Sequence, residues 1–402
     1  MDVALTKSKQ LAIEGGTPVR RVRLPYARQS VDAADIAAVT EVLRSDWLTT
    51  GPKVEEFERA FAREVGAREA VAVNSGTAAL HAAMHAAGIG PGDEVIVPAI
   101  TFVASANAVV YQGAAPVFAD VDAQSLLVDV ADVERKFTRR TRAILAVDYA
   151  GQPCDYDALG ALAKEHNVSL LADAAHSIGG LFRERRVGTL AEQTAFSFHP
   201  VKHITTGEGG MVTCEDSRRA AAMRSFRNHG IDRDSQKRVA ERSHGYQMTA
   251  LGFNYRLTGL QCALGLSQLR KLQESVERRQ DIAAQYDAAF EEIPGAKPLH
   301  KRAEVSHAYH LYVVRLEAAR LAGARDEICW ALEAEGIGTN VHYPPVHLHP
   351  FYRNRFGTCE GLCPVAEKAY REIVTLPLFP SMTDGDVADV IEAVQKVFEH
   401  FA

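Results

Sequence analysis

A lysine stands in the middle of Ser197-Phe-His-Pro-Val-Lys202-His-Ile-Thr-Thr-Gly-Glu-Gly-Gly210, between the strand-like runs Thr194-Ala-Phe-Ser-Phe198 and Met211-Val-Thr-Cys214. Phe198, Pro200, Val201 and Ile204 flank it, and an amine held among apolar groups loses the hydration its charged form needs. Its pKa then falls from a reference of about 10.4 and its lone pair becomes nucleophilic. The chemistry open to such an amine is a Schiff base with pyridoxal phosphate. An isolated S-F-x-x-x-K turn is better read as a surface lysine. Asp173, in Leu170-Leu-Ala-Asp173-Ala-Ala-His176-Ser-Ile-Gly-Gly180, tips the balance. A carboxylate just past a buried strand can keep a pyridine nitrogen protonated and turn the ring into an electron sink. Taken alone, that aspartate fits a helix N-cap.

Two further groups join the pattern. Asn74-Ser-Gly-Thr77 lies at a strand-to-helix junction, where backbone amides, a hydroxyl and the helix dipole suit a phosphate dianion. An ordinary capped helix reads the same way. Phe102 follows a strand that ends near Val97 and suits a stacking position over an aromatic ring, although most such phenylalanines are core residues. The order of the set is more specific than any member: phosphate turn, aromatic, aspartate with a following histidine, then serine and lysine, each at a strand end.

The elements that must position these groups follow from periodicity. Helices are predicted from Asp32 to Arg44 and from about Val54. From residue 70 strands alternate with helices: Val71–Val73, helix Ala78–Ala87, Glu94–Val97, helix Ala104–Tyr111, Pro116–Phe118, Ala143–Val147 and Val168–Ala172. Short apolar strands alternating with helices imply a mostly parallel sheet covered on both faces, with sites at the carboxyl ends of its strands. After 215 the pattern becomes helical, Ser217–Arg227 and then Leu260–Phe290. A strand at Tyr309–Leu316 and helices at Arg325–Glu335, Val365–Glu372 and Asp384–Phe401 close the chain. This predicts an α/β architecture in two packed parts, a large domain over 1–259 with an amino-terminal arm and a smaller α+β domain over 260–402.

The chain has 402 residues, 47% hydrophobic and 24% charged, with a net charge of -6. Those are ordinary globular values, and the acidic balance argues against nucleic-acid or anionic-membrane partners. Met1–Lys7 lacks the apolar run of a signal peptide, and the most apolar window, Val95–Tyr111, is broken by Pro98, Thr101, Ser105 and Asn107. Six scattered cysteines read as free thiols and, with these features, point to a reducing cytoplasm. Cys359-x-x-x-Cys363 has no second pair at finger spacing, so no metal is expected there.

The chain resembles the DegT-type nucleotide-sugar aminotransferases, pyridoxal-phosphate enzymes of the aspartate-aminotransferase fold (fold type I). The resemblance runs from about Ile13 to the end, through Trp47-Leu-Thr-Thr-Gly-Pro-Lys53, Asn74-Ser-Gly-Thr77, Thr101-Phe102, Asp173-Ala-Ala-His176, Ser197-Phe-His-Pro-Val-Lys202 and Gly252-Phe-Asn254-Tyr-Arg256. It implies that Lys202 carries the cofactor and acts as general base, and that Asp173 pairs with the pyridinium. His176 would sit by the ring hydroxyl, where many relatives carry glutamine, and Phe102 would stack on the ring. Gly76, Thr77 and Ser197 would hold the phosphate. Asn254 would reach the phosphate bound by a neighbouring subunit, which implies a homodimer with shared sites.

Within the family, His199-Pro-Val-Lys202 and Asn340-Val-His342-Tyr343-Pro-Pro-Val-His347-Leu-His349-Pro look most like one branch. That branch aminates a UDP-linked 4-keto-6-deoxy-N-acetylhexosamine on the way to pseudaminic acid, a polysaccharide building block, and glutamate is the expected donor in a ping-pong sequence. The histidine-rich loop fits a proline-fixed structural turn equally well. His342, Tyr343 and His347 are candidate sugar contacts. Arg224, Arg227, His229 and Arg256 are candidate anion contacts, or equally members of structural ion pairs. The alternatives are a dTDP- or GDP-linked substrate, a 3-keto sugar, or a non-catalytic regulatory binding protein on the same fold. Intact Lys202 and Asp173 argue against the last. Lys202 also argues against a sugar dehydratase of this family, which carries histidine there.

Overall fold

The computed structural model describes residues 10–231, 245–317 and 320–402. Its central sheet is built from short, largely apolar runs such as Val95–Val97 and Leu170–Ala172, because helices cover both faces. In chain order the strands are β1 (Glu69–Val73), β2 (Glu94–Pro98), β3 (Ala115–Ala119), β4 (Thr141–Val147), β5 (Ser169–Asp173), the short pair β6 (Leu181–Phe182) and β7 (Arg185–Arg186), β8 (Gln193–Ser197) and β9 (Gly210–Cys214). All but β6 and β7 join one seven-stranded sheet in the order β1-β9-β8-β5-β4-β2-β3. Only β9 runs against its neighbours, pairing antiparallel with β1 and β8. The expected mixed, mostly parallel sheet is the one observed.

The helices of this part are α1 (Ala33–Leu43), α2 (Pro52–Val65), α3 (Gly76–Ala86), α4 (Val103–Tyr111), α5 (Val130–Arg135), α6 (Tyr156–Glu165) and α7 (Ser217–Phe226). Their starts are chemically marked. Asp32 caps α1 in a reciprocal capping box with Asp35, and Ser75 caps α3 by accepting from the Ala78 amide, satisfying donors the helix itself leaves open. The expected helical run 260–290 is two helices, α8 (Gly259–Leu269) and α9 (Leu272–Phe290). Lys271 stands between them, its backbone out of the helical region and its amine 2.8 Å from Asp32 and 2.7 Å from Asp35.

A second sheet is antiparallel, β10 (Ala296–Pro298), β12 (Tyr312–Leu316) and β13 (Ile373–Leu376), while β11 (Val305–Ser306) pairs with β6. The strand expected from Tyr309 begins at Tyr312, because Tyr309 adopts a left-handed backbone (φ 47°) that a strand cannot contain. Around this sheet lie α10 (Arg325–Ala334), α11 (Pro350–Phe356), α12 (Pro364–Glu372) and α13 (Asp384–Phe401).

Two apolar cores divide within α9. Leu272 and Val276 pack into the first, with Cys262 and Leu269 of α8 and the large sheet. Ile282, Tyr286 and Phe290 pack into the second, against Leu332, Val390, Val394 and Phe398. That second core also takes Leu11 and Leu24 from the amino-terminal arm. So α8, beyond residue 259, packs with the large sheet, and part of the arm packs with the smaller one. Among the described residues, no helix is long and apolar enough to cross a membrane.

Candidate active site

The carboxyl ends of β5 and β8 lie side by side, and each delivers one polar side chain into the same space. β5 is an apolar run that ends on Asp173. β8 ends on Ser197, and the turn after it is anchored by Phe198, whose ring packs 5.4 Å from Phe57 and 5.5 Å from Phe61. The Phe198 carbonyl accepts from the Thr206 amide and the Thr205 hydroxyl, both at 3.1 Å. With both ends of the turn tied down, Lys202 projects into a cavity of about 590 Å³.

Gly76, Thr77, Phe102, Asp173, His176, Ser197, Lys202, His342 and Tyr343 all line that cavity. Burial lowers the Lys202 pKa to about 7, against the opposing pull of Asp173. The amine therefore spends much of its time neutral at neutral pH. Burial raises the Asp173 pKa, while hydrogen bonds from Ser105 and Ala175 favour its ionised form. The Ser105 hydroxyl donates to Asp173 Oδ2 at 2.7 Å, and Ser105 Oγ lies 2.6 Å from Thr101 Oγ1. Thr101, Ser105 and Asp173 are all buried, so this chain of hydroxyls fixes the orientation of the Asp173 carboxyl group. His176 Nε2 lies 3.1 Å from the Tyr343 hydroxyl, and its Nδ1 is buried with no hydrogen-bond partner.

These features fit pyridoxal phosphate. The amides of Gly76 and Thr77 open an 11-residue helix, where no intrahelical acceptor exists for them and the helix dipole favours an anion. Gly76 is required for the close approach of that helix to β8: a Cβ there would lie 2.8 Å from Ser197 Cβ. The buried, partnerless Nδ1 of His176, the carboxylate of Asp173 and the half-neutral amine of Lys202 complete a donor set for a phosphate, a ring and a carbonyl.

Other candidates are placed elsewhere. Arg224 reaches Glu69 at 3.0 Å and the Ala70 carbonyl at 3.1 Å, and Arg227 pairs with Glu58 and donates to the Ala72 carbonyl at 2.5 Å. Both tie α7 to β1, away from the cavity. His347 is fully buried and bonds Glu367 at 2.9 Å, while Glu367 also accepts from the Gly361 and Cys363 amides. His347 is not among the residues that line the cavity. Arg256 donates to Asn228 Oδ1 at 2.7 Å. His229 and Asn254 are exposed, with the His229 amide bonded to the Phe253 carbonyl at 3.0 Å and Asn254 bridged to Asn228. Among the described residues, no three His, Cys, Asp or Glu side chains could hold a metal ion.

Two residues escaped the sequence reading. His310 Nε2 lies 3.3 Å from Lys202 Nζ, yet it sits in Ala308-Tyr-His-Leu-Tyr-Val-Val314, which reads as an apolar strand. Ser105 did leave a signal, as a hydroxyl in the first turn of the helix that follows Phe102.

Comparison with known proteins places this geometry. The chain matches the DegT/DnrJ/EryC1/StrS aminotransferase family over residues 29–395. It is 43% identical over 376 residues to the spore coat polysaccharide biosynthesis protein SpsC of Bacillus subtilis, covering 93% of this chain and 97% of SpsC. A putative sugar aminotransferase from Streptococcus pneumoniae, Spr1654 in its PMP form, superposes with a TM-score of 0.89 at 33% identity, over 94% of this chain and 100% of that one. PseC of Helicobacter pylori, an aminotransferase involved in the biosynthesis of pseudaminic acid, superposes with a TM-score of 0.88 at 32% identity, again over 94% and 100%.

Proposed function

The chain belongs to the DegT/DnrJ/EryC1/StrS aminotransferase family of pyridoxal-phosphate-dependent sugar aminotransferases, and from that premise we propose that it transfers an amino group from glutamate to a UDP-linked 4-keto-6-deoxy-N-acetylhexosamine. The observation that carries this reading is the meeting of Lys202, a buried Asp173 and a helix amino terminus in one cavity. The likeness to PseC supports the choice of sugar. The cavity wall agrees with it: Asn340, His342 and Tyr343 face the same space as Lys202 and offer hydroxyl-binding partners.

When bound, pyridoxal phosphate supplies a carbonyl that accepts the amino group and an electron-poor ring that stabilises charge on the carbon being deprotonated. The chain would do the rest. Gly76, Thr77 and Ser197 would hold the phosphate, and Phe102 would cover a ring face. Asp173, fixed by Ser105, would keep the proton on the ring nitrogen. His176, held by Tyr343, would face the ring hydroxyl. Lys202 would anchor the carbonyl and, as a free amine, would carry a proton away from the donor's α-carbon and return one to the sugar carbon.

The chain acts as a homodimer in this reading, with Asn254 reaching its neighbour's phosphate. The segment around Asn254 supports that, because Met248, Leu251 and Phe253 are exposed there and Phe253, like the exposed Tyr111, packs on His81. Visible absorption spectra test the whole proposal. Glutamate should bleach the band of the pyridoxal-phosphate-loaded protein, and a UDP-linked 4-keto-6-deoxy-N-acetylhexosamine should restore it. Restoration by a dTDP-linked keto-sugar but not by the UDP-linked one would overturn the substrate assignment.

A further inference from the structure

Lys202 is met by an imidazole that the family motifs quoted above do not contain. His310 is buried, its Nε2 lies 3.3 Å from the Lys202 amine, and its Nδ1 has no partner. The backbone is bent to put it there. Tyr309, the residue before it, holds a left-handed conformation at φ 47°, an unfavourable state for a bulky side chain that persists only where surroundings impose it. The Tyr309 amide donates to His307 Nδ1 at 2.8 Å, the Ala308 amide to the Gly151 carbonyl at 2.9 Å, and the Leu311 amide to the Ala150 carbonyl at 3.1 Å. Gly151, itself at φ 107°, is the residue that admits this segment: a Cβ there would lie 2.8 Å from the Tyr309 nitrogen and 2.9 Å from that of His310. Arg279, buried in α9, clamps the bend by donating to the carbonyls of Tyr309 at 3.2 Å and Leu378 at 3.0 Å.

We propose that His310 donates its Nε2 proton to the lone pair of Lys202, fixing the free amine in place and favouring its neutral form, a hydrogen bond that parts when the lone pair attacks a carbonyl. This deepens the reading of Lys202 given above and rests on it. The tautomer follows from the unpartnered nitrogen. A proton on Nδ1 would be a buried donor with no acceptor, which proteins avoid more strictly than a bare acceptor, so the proton belongs on Nε2. The groups facing this pair argue the same way. Lys202 and His203 come from the turn after β8, Asp173 and His176 from the end of β5, Arg279 from α9 and His342 from the loop before α11. Burial holds the histidines His176, His203, His310 and His342 well below their ordinary pKa, so they stay neutral. Arg279 adds a positive charge that disfavours a second one on Lys202, and Asp173 alone opposes it.

The test uses the full-length, cofactor-free protein and follows covalent uptake of pyridoxal phosphate between pH 6 and 10 by visible absorbance. In that uptake the amine nitrogen bonds the aldehyde carbon and the aldehyde oxygen leaves as water. The rate therefore follows the neutral fraction of Lys202. His310→Leu should move the midpoint up by about half a pH unit or more, and so slow uptake at pH 7 about twofold or more. His310→Gln, which returns an N–H at similar reach, should restore both. Should the leucine variant not fold, His310→Met carries the same expectation. A midpoint that stays or falls in the apolar variant overturns the assignment to His310 while Lys202 stands. Failure of the unaltered protein to take up pyridoxal phosphate covalently overturns the reading of Lys202 itself.

Discussion

The polar clusters around Glu58 and around Lys202 differ in how far their needs are met. Around Glu58 every charge is matched. Glu58 accepts from the Ala72 amide at 2.9 Å and pairs with Arg227, while Arg224 links Glu69 at 3.0 Å with Glu58 at 3.6 Å. Around Lys202 much is left open. The amine contacts a neutral imidazole, and His176 Nδ1, His203 Nδ1, His310 Nδ1 and Arg279 Nε are buried without a hydrogen-bond partner. Buried polar groups are ordinarily satisfied, and shifted pKa values gather where chemistry is done. The first cluster is an arrangement for holding α7 against β1. The second gives up stability to keep a lysine reactive.

Substitutions should separate the two. The largest effect is expected from Lys202→Ala, which should lower transamination by about 10⁴-fold or more and abolish borohydride-reducible attachment of pyridoxal phosphate. Thermal stability of the cofactor-free protein should be unchanged or raised. Reducible attachment that survives would show another lysine at work. Glu58→Ala should do the reverse, costing about 3 kcal/mol of stability by stranding a buried cation, while covalent cofactor uptake by the folded protein persists. A stability loss well under about 1 kcal/mol in denaturant unfolding would place the cluster among ion pairs of little consequence.

A further effect is a slope. Lys202 has its pKa lowered on folding by burial, to about 7 from 10.5, so between those values the unfolded chain binds more protons and stability rises with pH. The penalty is fully present below about pH 7 and gone above about 10.5. In cofactor-free protein, Lys202→Met should therefore be more stable than the unaltered chain at pH 7, by a margin that closes toward pH 10. A margin independent of pH would mean that the amine is not desolvated.

The same contrast explains what could be read from the chain alone. Strands such as Val95-Ile-Val97 and Leu170-Leu-Ala172 are legible because burial on both faces demands continuous apolar residues. Asp173, Ser197 and Lys202 are legible because they end such runs. β13 was not, since Ile373–Leu376 follows α12 with no turn signal and earns its strand state by pairing with β12. Arg224 and His347 left two readings open for a related reason. An arginine or histidine near a motif suggests a ligand, and only tertiary contacts with Glu69 and Glu367 reveal that it is already occupied. His310 stayed hidden because its approach to Lys202 depends on a bend at Tyr309 and a close pass at Gly151, neither of which has a local spacing rule.

The amino-terminal arm has a consequence for synthesis. Leu11 and Leu24 pack in the core that also holds Leu376 and Phe398, and the Ala12 amide donates to Glu335 at 2.8 Å. At translation speeds of about 5–20 residues per second, the arm emerges roughly 20–70 s before the strand it helps to cover. For that interval the nascent protein carries two exposed leucines whose burial site has not yet been made. The second core is thus a clasp that shuts only after Phe398 has been made.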